Sequence, residues 1–449
     1  MQIQLPEKVR YIIEELEKAG HEAYAVGGCV RDSLLGRKPD DWDITTSANP
    51  YEVKEVFERT IDTGIQHGTV TVMLNKEGFE VTTYRIDGEY EDSRHPKEVI
   101  FTKNLVEDLK RRDFTINAMA YNDRSGIVDA FHGMQDLEQG IIRCVGNAKE
   151  RFTEDALRMM RAVRFSAQLG YEIEEETQEA IRQLAPTLEN ISAERIQTEL
   201  VKLLVSPHPD YLRKAYELGI TAIIMPEFDE AMQCEQNNPH HMYTVGEHLL
   251  CCVCNVQPKK ALRIAAILHD IGKPAMKKTD EDGIDHFRGH VELGEEMVNS
   301  ILRRLKFDND TITKARKYVR YHDYRMETTP KAVRRAINKI GEEYFEEVLE
   351  LQKADMLAQS MYKREEKQQR LEKIWSLYRE IMQNKNCVSL KTLALTGSDL
   401  IALGVPQGKQ IGVVLGMLLE DVLDAPEHNN EAYLTNLIKT IIIPQNDIN

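Results

Sequence analysis

Two aspartates, Asp41 and Asp43, flank a single tryptophan within the stretch Ala25 to Thr45, AVGGCVRDSLLGRKPDDWDIT. On a strand, residues i and i+2 face the same way. A strand read over Trp42–Thr45 therefore points both carboxylates at one spot and turns Asp40 away. Converging carboxylates are tolerable when they hold a divalent cation, and Mg²⁺ commonly takes one or two of them plus substrate phosphates. Gly27 and Gly28 let a backbone approach a bulky anion, and the N–H groups of the helix that follows offer it a site. Arg31, one turn in, could reach phosphate as well. A third acid should come from a neighbouring strand. In FEVTTYR, Phe79, Val81 and Thr83 share one face, and Glu80 stands on the other. Two metals about 4 Å apart on such a carboxylate set would activate an attacking hydroxyl and stabilise a leaving pyrophosphate. A solvated turn would show the same Asp-Trp-Asp. The longer order Gly-Gly, Val-Arg-Asp, Leu-Leu-Gly, Asp-x-Asp-Ile-Thr separates the two readings.

GGCVRDSLLGRKPDDWDI resembles the head motif of class II tRNA nucleotidyltransferases, the CCA-adding enzymes and related bacterial poly(A) polymerases. RRDFTINAMAY (111–121), EDALRMMRAVRFSAQLGY (154–171) and SAERIQTELVKLL (192–204) resemble further motifs of that family, in the same order. The resemblance implies a polymerase-beta-like head that transfers nucleotidyl groups from CTP and ATP to tRNA with Mg²⁺ and without a nucleic-acid template. Asp41, Asp43 and Glu80 would be its catalytic acids, with Mg²⁺ on the first two. Gly27, Gly28 and Arg31 would hold the triphosphate. Choosing a base without a template needs side chains that imitate a Watson–Crick edge. Asp155 and Arg158, i and i+3 on one helix face, offer acceptors and donors for that purpose. By resemblance they read the base, and Glu154 orients Arg158. Arg161 and Arg164 continue the face toward triphosphate or RNA. Arg111 and Arg112 could meet phosphate, and Asp113 and Asn117 ribose hydroxyls. The long polar loop IDGEYEDSRHPKEVIFTKN, present here with Arg94 followed by His95, is the segment that the family implies for adenylation.

A second ligand set follows: HHMYTVGEHLL, ILHDIGKP, FRGHVELG, VRYHDYR and ELQKADMLA. It resembles the HD metal-dependent phosphohydrolase superfamily. His248, His269, Asp270 and Asp355 would then hold one ion, with His290 and His322 at the extra positions of two-metal members and Lys273 near a phosphate. His and Asp suit Mn²⁺, Fe²⁺, Ni²⁺ or Mg²⁺. The implied chemistry is phosphatase or 2′,3′-cyclic phosphodiesterase activity on RNA ends. A purely structural HD fold is the alternative.

The elements that must position these residues fall into two kinds, an α+β arrangement. Val9, Ile12, Ile13 and Leu16 recur at helical spacing, and Gly20 fits the end of that helix. Strand patterns at Ala23–Val26, 69–74 and 79–85 give a small sheet. Asn49-Pro50 opens a helix. Beyond residue 147 the patterns are helical, including a single helix over 153–169. The expected division is a catalytic head (1–146), a base-reading helical neck (147–206), a body (207–380, HD domain about 240–360) and a tail (381–449). In the tail, Asp399, Gly404, Pro406, Gly408 and Gly412 shape a turn that could hold RNA phosphate. Cys251 and Cys254 form a CxxC without a second pair, which reads as core packing on an inward helix face.

Among 449 residues, 42% are apolar and the net charge is −16. No run of about 18 apolar residues predicts a membrane span, and no secretory h-region is visible. Seven scattered cysteines fit reduced thiols and a cytoplasmic address. The acidic balance argues against a surface coated in nucleic acid, yet Lys110, Arg111, Arg112, Arg158, Arg161 and Arg164 could line a local basic groove. Two rivals remain: an A-adding enzyme or poly(A) polymerase, and an HD phosphohydrolase whose inactive head binds RNA.

Overall fold

The structure is a computed structural model that describes residues 2–88 and 99–442, so Arg94 and His95 lie outside the described residues. The chain divides into two compact units, Met1–Asp229 and Glu230–Asn449. Head and neck pack together in the first, and residues 207–229 join them.

Among the described residues the first unit has eleven strands: β1 (Ala23–Val26), β2 (Ile44–Thr46), β3 (Thr60–Gly64), β4 (Thr69–Leu74), β5 (Glu77–Thr83), β6 (Arg85–Asp87), β7 (Val99–Phe101), β8 (Ala120–Asn122), β9 (Gly126–Val128), and the parallel pair β10 (Ile141–Ile142) and β11 (Glu172–Ile173). Seven form one sheet in the order β3-β4-β5-β2-β1-β8-β9, while β6 and β7 make a separate ribbon. β2 runs parallel to β5, with Ile44 opposite Val81. Its other neighbour β1 is antiparallel. The helix α1 (Glu7–Lys18) buries Val9, Ile12, Ile13 and Leu16, and Gly20 takes the left-handed φ of +91° that ends it. At α3 (Pro50–Val56), the Asn49 side chain accepts from the Tyr51 and Glu52 N–H groups, and Glu52 accepts from the Asn49 N–H. That reciprocal cap fixes where the chain leaves β2.

Two expectations need correction here. Asp41 and Asp43 do not lie on a strand, because β2 begins at Ile44. Only the backbone of Asp43 touches the ladder, its carbonyl accepting from the Val26 N–H at 3.0 Å. The helix expected over 153–169 is two helices, α6 (Ala148–Glu154) and α7 (Leu157–Leu169). Asp155 between them is extended, at φ −145° and ψ 102°. Its carboxylate accepts from the Leu157 N–H at 3.1 Å, and a short acid that can bond the local backbone competes with helix continuation.

The second unit is helical. Its principal helices run Val245–Cys254, Lys260–Leu268, His290–Arg304, Asn309–Tyr321, Pro330–Ile340, Glu342–Ala358, Arg364–Gln383 and Lys409–Asp424. The last of these packs Val414, Leu418, Val422 and Leu423 against Leu400 and Leu434, a core belonging to the tail. The inward face of Val245–Cys254 is set by His248, Leu249, Cys252 and Val253. Cys252 is therefore the buried thiol, whereas Cys251 is half-buried and Cys254 exposed, so the pair expected to face inward does not. Among the described residues, no helix is long and apolar enough to cross a membrane.

Candidate functional site

The first cluster grows from the turn between β1 and α2 (Gly28–Leu34). Gly27 has φ +84°, and a Cβ there would meet Arg112 Nη1 at 2.8 Å. Glycine is thus favoured by the backbone conformation, and the Arg112 guanidinium lies against the turn. Arg112 also faces Asp43. Burial pushes the Asp43 carboxyl above its ordinary range, Arg112 pulls it back, and Asp41 and Glu80 push it up again. The three acids therefore act on one spot, although they are not among the groups whose ligand atoms lie within 4.8 Å of one another. The sheet explains the meeting: continuing the β2–β5 register back by one residue sets Asp43 opposite Glu80. Glu80 is exposed, while Phe79, Val81 and Thr83 are buried. Two carboxylates that push a third upward fit a divalent cation, which would relieve the repulsion at Asp43.

Arg112 in turn depends on α4 (Leu105–Lys110). Asp108 is fully buried there and lies 3.9 Å from Arg112 and 2.9 Å from Arg111. It also accepts from the Thr45 hydroxyl at 3.1 Å. Sequence reasoning passed over Asp108, yet its i, i+3, i+4 spacing to two arginines was a visible signal.

A second network ties α2 to the neck. Arg31 donates to Asn117 Oδ1 at 2.6 Å and forms a two-bond pair with Asp32, 2.9 Å at each contact. Asn117 donates to Asp113 Oδ1 at 3.1 Å, and Arg161 donates to Asp113 Oδ2 at 2.6 and 2.8 Å. Arg164 closes the chain on buried Glu199 at 2.5 Å. Arg31, Arg161 and Arg164 also surround Phe165, at 5.0, 5.3 and 3.7 Å from its ring centroid. Burial alone would raise the Asp113 carboxyl, but Arg161 and Asn117 hold it down at about 2. The candidate nucleotide contacts Arg31, Asp113, Asn117, Arg161 and Arg164 are thus brought together, chiefly onto one another.

Asp155 and Arg158 are placed differently from expectation. Arg158 donates to Glu154 at 2.5 Å and to the carbonyls of Arg151 and Arg111 at 3.0 and 3.1 Å. Asp155, in the break before α7, accepts instead from Arg195 at 2.7 Å. Arg195 and Glu199 both lie on α9 (Ala193–Leu204), inside a motif whose individual residues the sequence left unassigned.

The second unit holds a separate centre. His248, His269 and Asp270 place ligand atoms within 4.8 Å of one another, and so do Asp270, His290 and His322. Asp355 Oδ1 lies 3.0 Å from His248 Nε2. Each ring turns its Nδ1 toward a backbone carbonyl: His248 to Ala358 (3.4 Å), His269 to Ala266 (2.9 Å), His290 to Phe287 (2.8 Å) and His322 to Val319 (2.6 Å). Four Nε2 atoms are left facing the centre, the orientation that outer hydrogen bonds give to metal-ligating histidines. Asp270 Oδ1 is buried without a hydrogen-bond partner. Its Oδ2 lies 2.7 Å from Lys273 Nζ, and Lys273 with His269 holds the carboxyl well below its usual range against burial. These donors fit one or two transition-metal ions or Mg²⁺. His241, which sequence reasoning did not single out, stacks edge-on against His248 at 5.5 Å. It lines the cavity of about 920 Å³ that opens onto the centre.

Comparison with known proteins sets both clusters in context. Residues 23–143 match the model for the "Poly A polymerase head domain", residues 170–232 that for the "Probable RNA and SrmB-binding site of polymerase A", and residues 278–438 that for "tRNA nucleotidyltransferase domain 2". The whole chain resembles the crystal structure of the Bacillus stearothermophilus CCA-adding enzyme in complex with CTP, at 29% identity and a TM-score of 0.74, covering 99% of this chain and 100% of that one. The chain resembles class II CCA-adding enzymes in its head, in its neck and in its helical second unit. Curated relatives include the CCA-adding enzymes of Lactiplantibacillus plantarum, 56% identical over 198 residues (44% of this chain, 49% of that protein), and Leuconostoc mesenteroides, 54% identical over 205 residues (45% and 51%). The chain thus matches about half the length of those relatives. A Thermotoga maritima CCA-adding enzyme complexed with tRNA shares the fold at 21% identity and a TM-score of 0.59, over 98% of this chain and all of that one. The nucleotidyltransferase family is one of divalent-metal dependence.

Proposed function

We propose that this chain is a tRNA nucleotidyltransferase that adds CCA to tRNA 3′ ends from CTP and ATP without a nucleic-acid template. The observation that carries the reading is the convergence of Asp41, Glu80 and Arg112 on Asp43, with Arg112 lying against the Gly27 turn. The transfer joins the RNA 3′ oxygen to the α-phosphorus of the incoming nucleotide and releases pyrophosphate. Asp41 and Asp43, with Glu80, would hold Mg²⁺, whose chemistry is to acidify the 3′ hydroxyl and offset phosphate charge. Gly27 and Gly28 give the triphosphate access to backbone N–H groups, and Arg112 adds positive charge beside them. Asp155 supplies acceptors and Arg158 donors to the base edge. Both already have protein partners, so base reading requires the nucleotide to displace or share them. Among the described residues no disulfide is formed, which supports a cytoplasmic address.

The test is incorporation on tRNA ending before CCA, after C, and after CC, with labelled CTP or ATP and Mg²⁺. Addition on all three is expected. Addition of A alone would favour an A-adding enzyme or poly(A) polymerase, and no incorporation would favour the RNA-binding, inactive head. Asp41→Ala should abolish incorporation of both nucleotides.

A second reading concerns Glu230–Asn449. The inward Nε2 atoms gathered on buried Asp270, with His290 and His322 at 3.3 and 3.4 Å from its Oδ1, favour a metal-dependent phosphohydrolase centre, a phosphatase or 2′,3′-cyclic phosphodiesterase for RNA ends. A double His269→Ala, Asp270→Ala variant should lose both bound Mn²⁺ and phosphate release. Unchanged phosphate release would count against the reading.

A further inference from the structure

The two carboxylates of the His–Asp centre are held in different ways. Asp270 has an ammonium against it, with Lys273 Nζ 2.7 Å from its Oδ2. Asp355 has an amide. It stands in the last turn of the helix Glu342–Ala358, and Gln359 is the residue at which the chain leaves that helix, at φ −81° and ψ 171°. Gln359 Nε2 donates to both oxygens of Asp355, at 3.0 Å to Oδ1 and 3.1 Å to Oδ2. Oδ1 is also the oxygen that lies 3.0 Å from His248 Nε2 and 3.8 Å from His269 Nε2. The backbone here is pinned as well. The Gln359 carbonyl accepts from Arg364. Ser360 donates its N–H to the His240 carbonyl at 2.9 Å and its hydroxyl to the Pro239 carbonyl at 2.6 Å.

A glutamine amide can present either its oxygen or its NH₂ group, so a neighbour must choose. Lys367, on the helix Arg364–Gln383, makes that choice. Its Nζ donates to Gln359 Oε1 at 2.6 Å and lies 3.0 Å from His240 Nδ1. An ammonium has donors and no acceptor, so it takes the amide oxygen and leaves the NH₂ group for Asp355. The bonds therefore run one way, from Lys367 through Gln359 to Asp355. A neutral donor orients a carboxylate without setting a full positive charge on the oxygen that an ion would use, and outer hydrogen bonds of this kind orient metal ligands and tune their affinity. We propose that Gln359, its amide turned by Lys367, is a positioning residue that holds Asp355 ready for a divalent ion in the His–Asp centre. This rests on the metal binding assumed in the phosphohydrolase reading. The sign of the Lys367 effect identifies the route. As a bare charge near the ion, Lys367 would repel it, and its loss would tighten binding. As the group that turns Gln359, its loss weakens binding.

The test is calorimetric titration of Mn²⁺ into the ion-free full chain, with the heat retained by His269→Ala/Asp270→Ala subtracted as binding elsewhere. Gln359→Ala should weaken Mn²⁺ binding about tenfold or more, the usual loss for an outer partner of a metal ligand. Lys367→Met should weaken it roughly threefold or more. Lys367→Arg, which keeps donors and adds no acceptor, should stay within about twofold of the native chain. Placed on top of Gln359→Ala, Lys367→Met should weaken binding no further, because the lysine acts through the amide. Unchanged affinity in Gln359→Ala, tighter binding in Lys367→Met, or a further loss in the double variant overturns the proposal. Circular dichroism of the ion-free variants should match the native chain, and the contrast of Lys367→Met with Lys367→Arg decides the matter if Gln359→Ala unfolds. Phosphate release measured alongside separates the two claims. Mn²⁺ bound without turnover sinks the phosphohydrolase reading and leaves Gln359 to be judged by the affinities. A native chain that binds no Mn²⁺ overturns both.

Discussion

At the scale of single residues, the first unit sets several buried charges against partners. Asp113 is the clearest case. Burial opposes its ionisation, yet Arg161 and Asn117 hold its pKa at about 2 against an ordinary 3.8. A depressed carboxylate contributes stability that is present above its unfolded pKa and is lost as pH falls through the folded value. Asp113 should therefore contribute about 2 kcal/mol at neutral pH, disappearing between roughly pH 4 and pH 2. Acid unfolding of Asp113→Asn followed by circular dichroism should show a shallower loss across that window than the native chain. Arg158 belongs to the same scale. With Glu154, Arg151 and Arg111 fixing its guanidinium, Arg158→Ala should blur the CTP/ATP preference and leave some nucleotide addition. Competition between the two nucleotides on tRNA ending after C measures it, and unchanged selection would remove Arg158 from base reading.

At the scale of elements, the decisive feature is the break between α6 and α7. One continuous helix would have put Asp155 and Arg158 on one face. The break turns Asp155 toward α9, where Arg195 meets it. On the proposed function Arg195 would be a positioning residue, its guanidinium holding the Asp155 carboxylate in place. Arg195→Ala should lower discrimination between CTP and ATP more than it lowers total addition, while Arg195→Lys should restore part of it. Equal losses in both would mark a purely structural role. The contrast shows which parts of this unit were legible in sequence. Val9, Ile12, Ile13 and Leu16 announced α1 by spacing, and Asn49-Pro50 announced α3 by cap chemistry, because both signals are local. The strand Thr60–Gly64, half-buried to exposed throughout, carries no alternating apolar pattern and left no such signal. The break at Asp155 was hidden for another reason: apolar periodicity runs across it, and the partner that favours it lies 40 residues away. The same distance effect concealed Glu199, whose value depends on Arg164 and Arg161. The candidate His–Asp cluster was legible as residues. Their common orientation was not, since each Nδ1 is fixed by a backbone carbonyl that sequence cannot locate.

At the scale of the whole molecule, the two compact units hold different candidate sites. Met1–Asp229 contains the Gly27 turn, the carboxylates and the arginine network, and Glu230–Asn449 contains the His–Asp centre. Each has its own core, so each ligand should stabilise mainly the unit that binds it. A ligand that binds only the folded state at 100 times its Kd adds about 2.7 kcal/mol. For a unit of about 220 residues that corresponds to a Tm increase of roughly 5–10 °C. Differential scanning calorimetry of the full chain should therefore resolve two transitions. Mn²⁺ should raise one of them by that amount, and Asp270→Asn should abolish the rise, because that substitution removes a carboxylate shared by both ligand groups. CTP with Mg²⁺ should raise the other, and Asp41→Ala should abolish that rise while leaving the Mn²⁺ response in place. A Mn²⁺ response lost in Asp41→Ala and kept in Asp270→Asn would move the metal to the head and empty the His–Asp centre of its role.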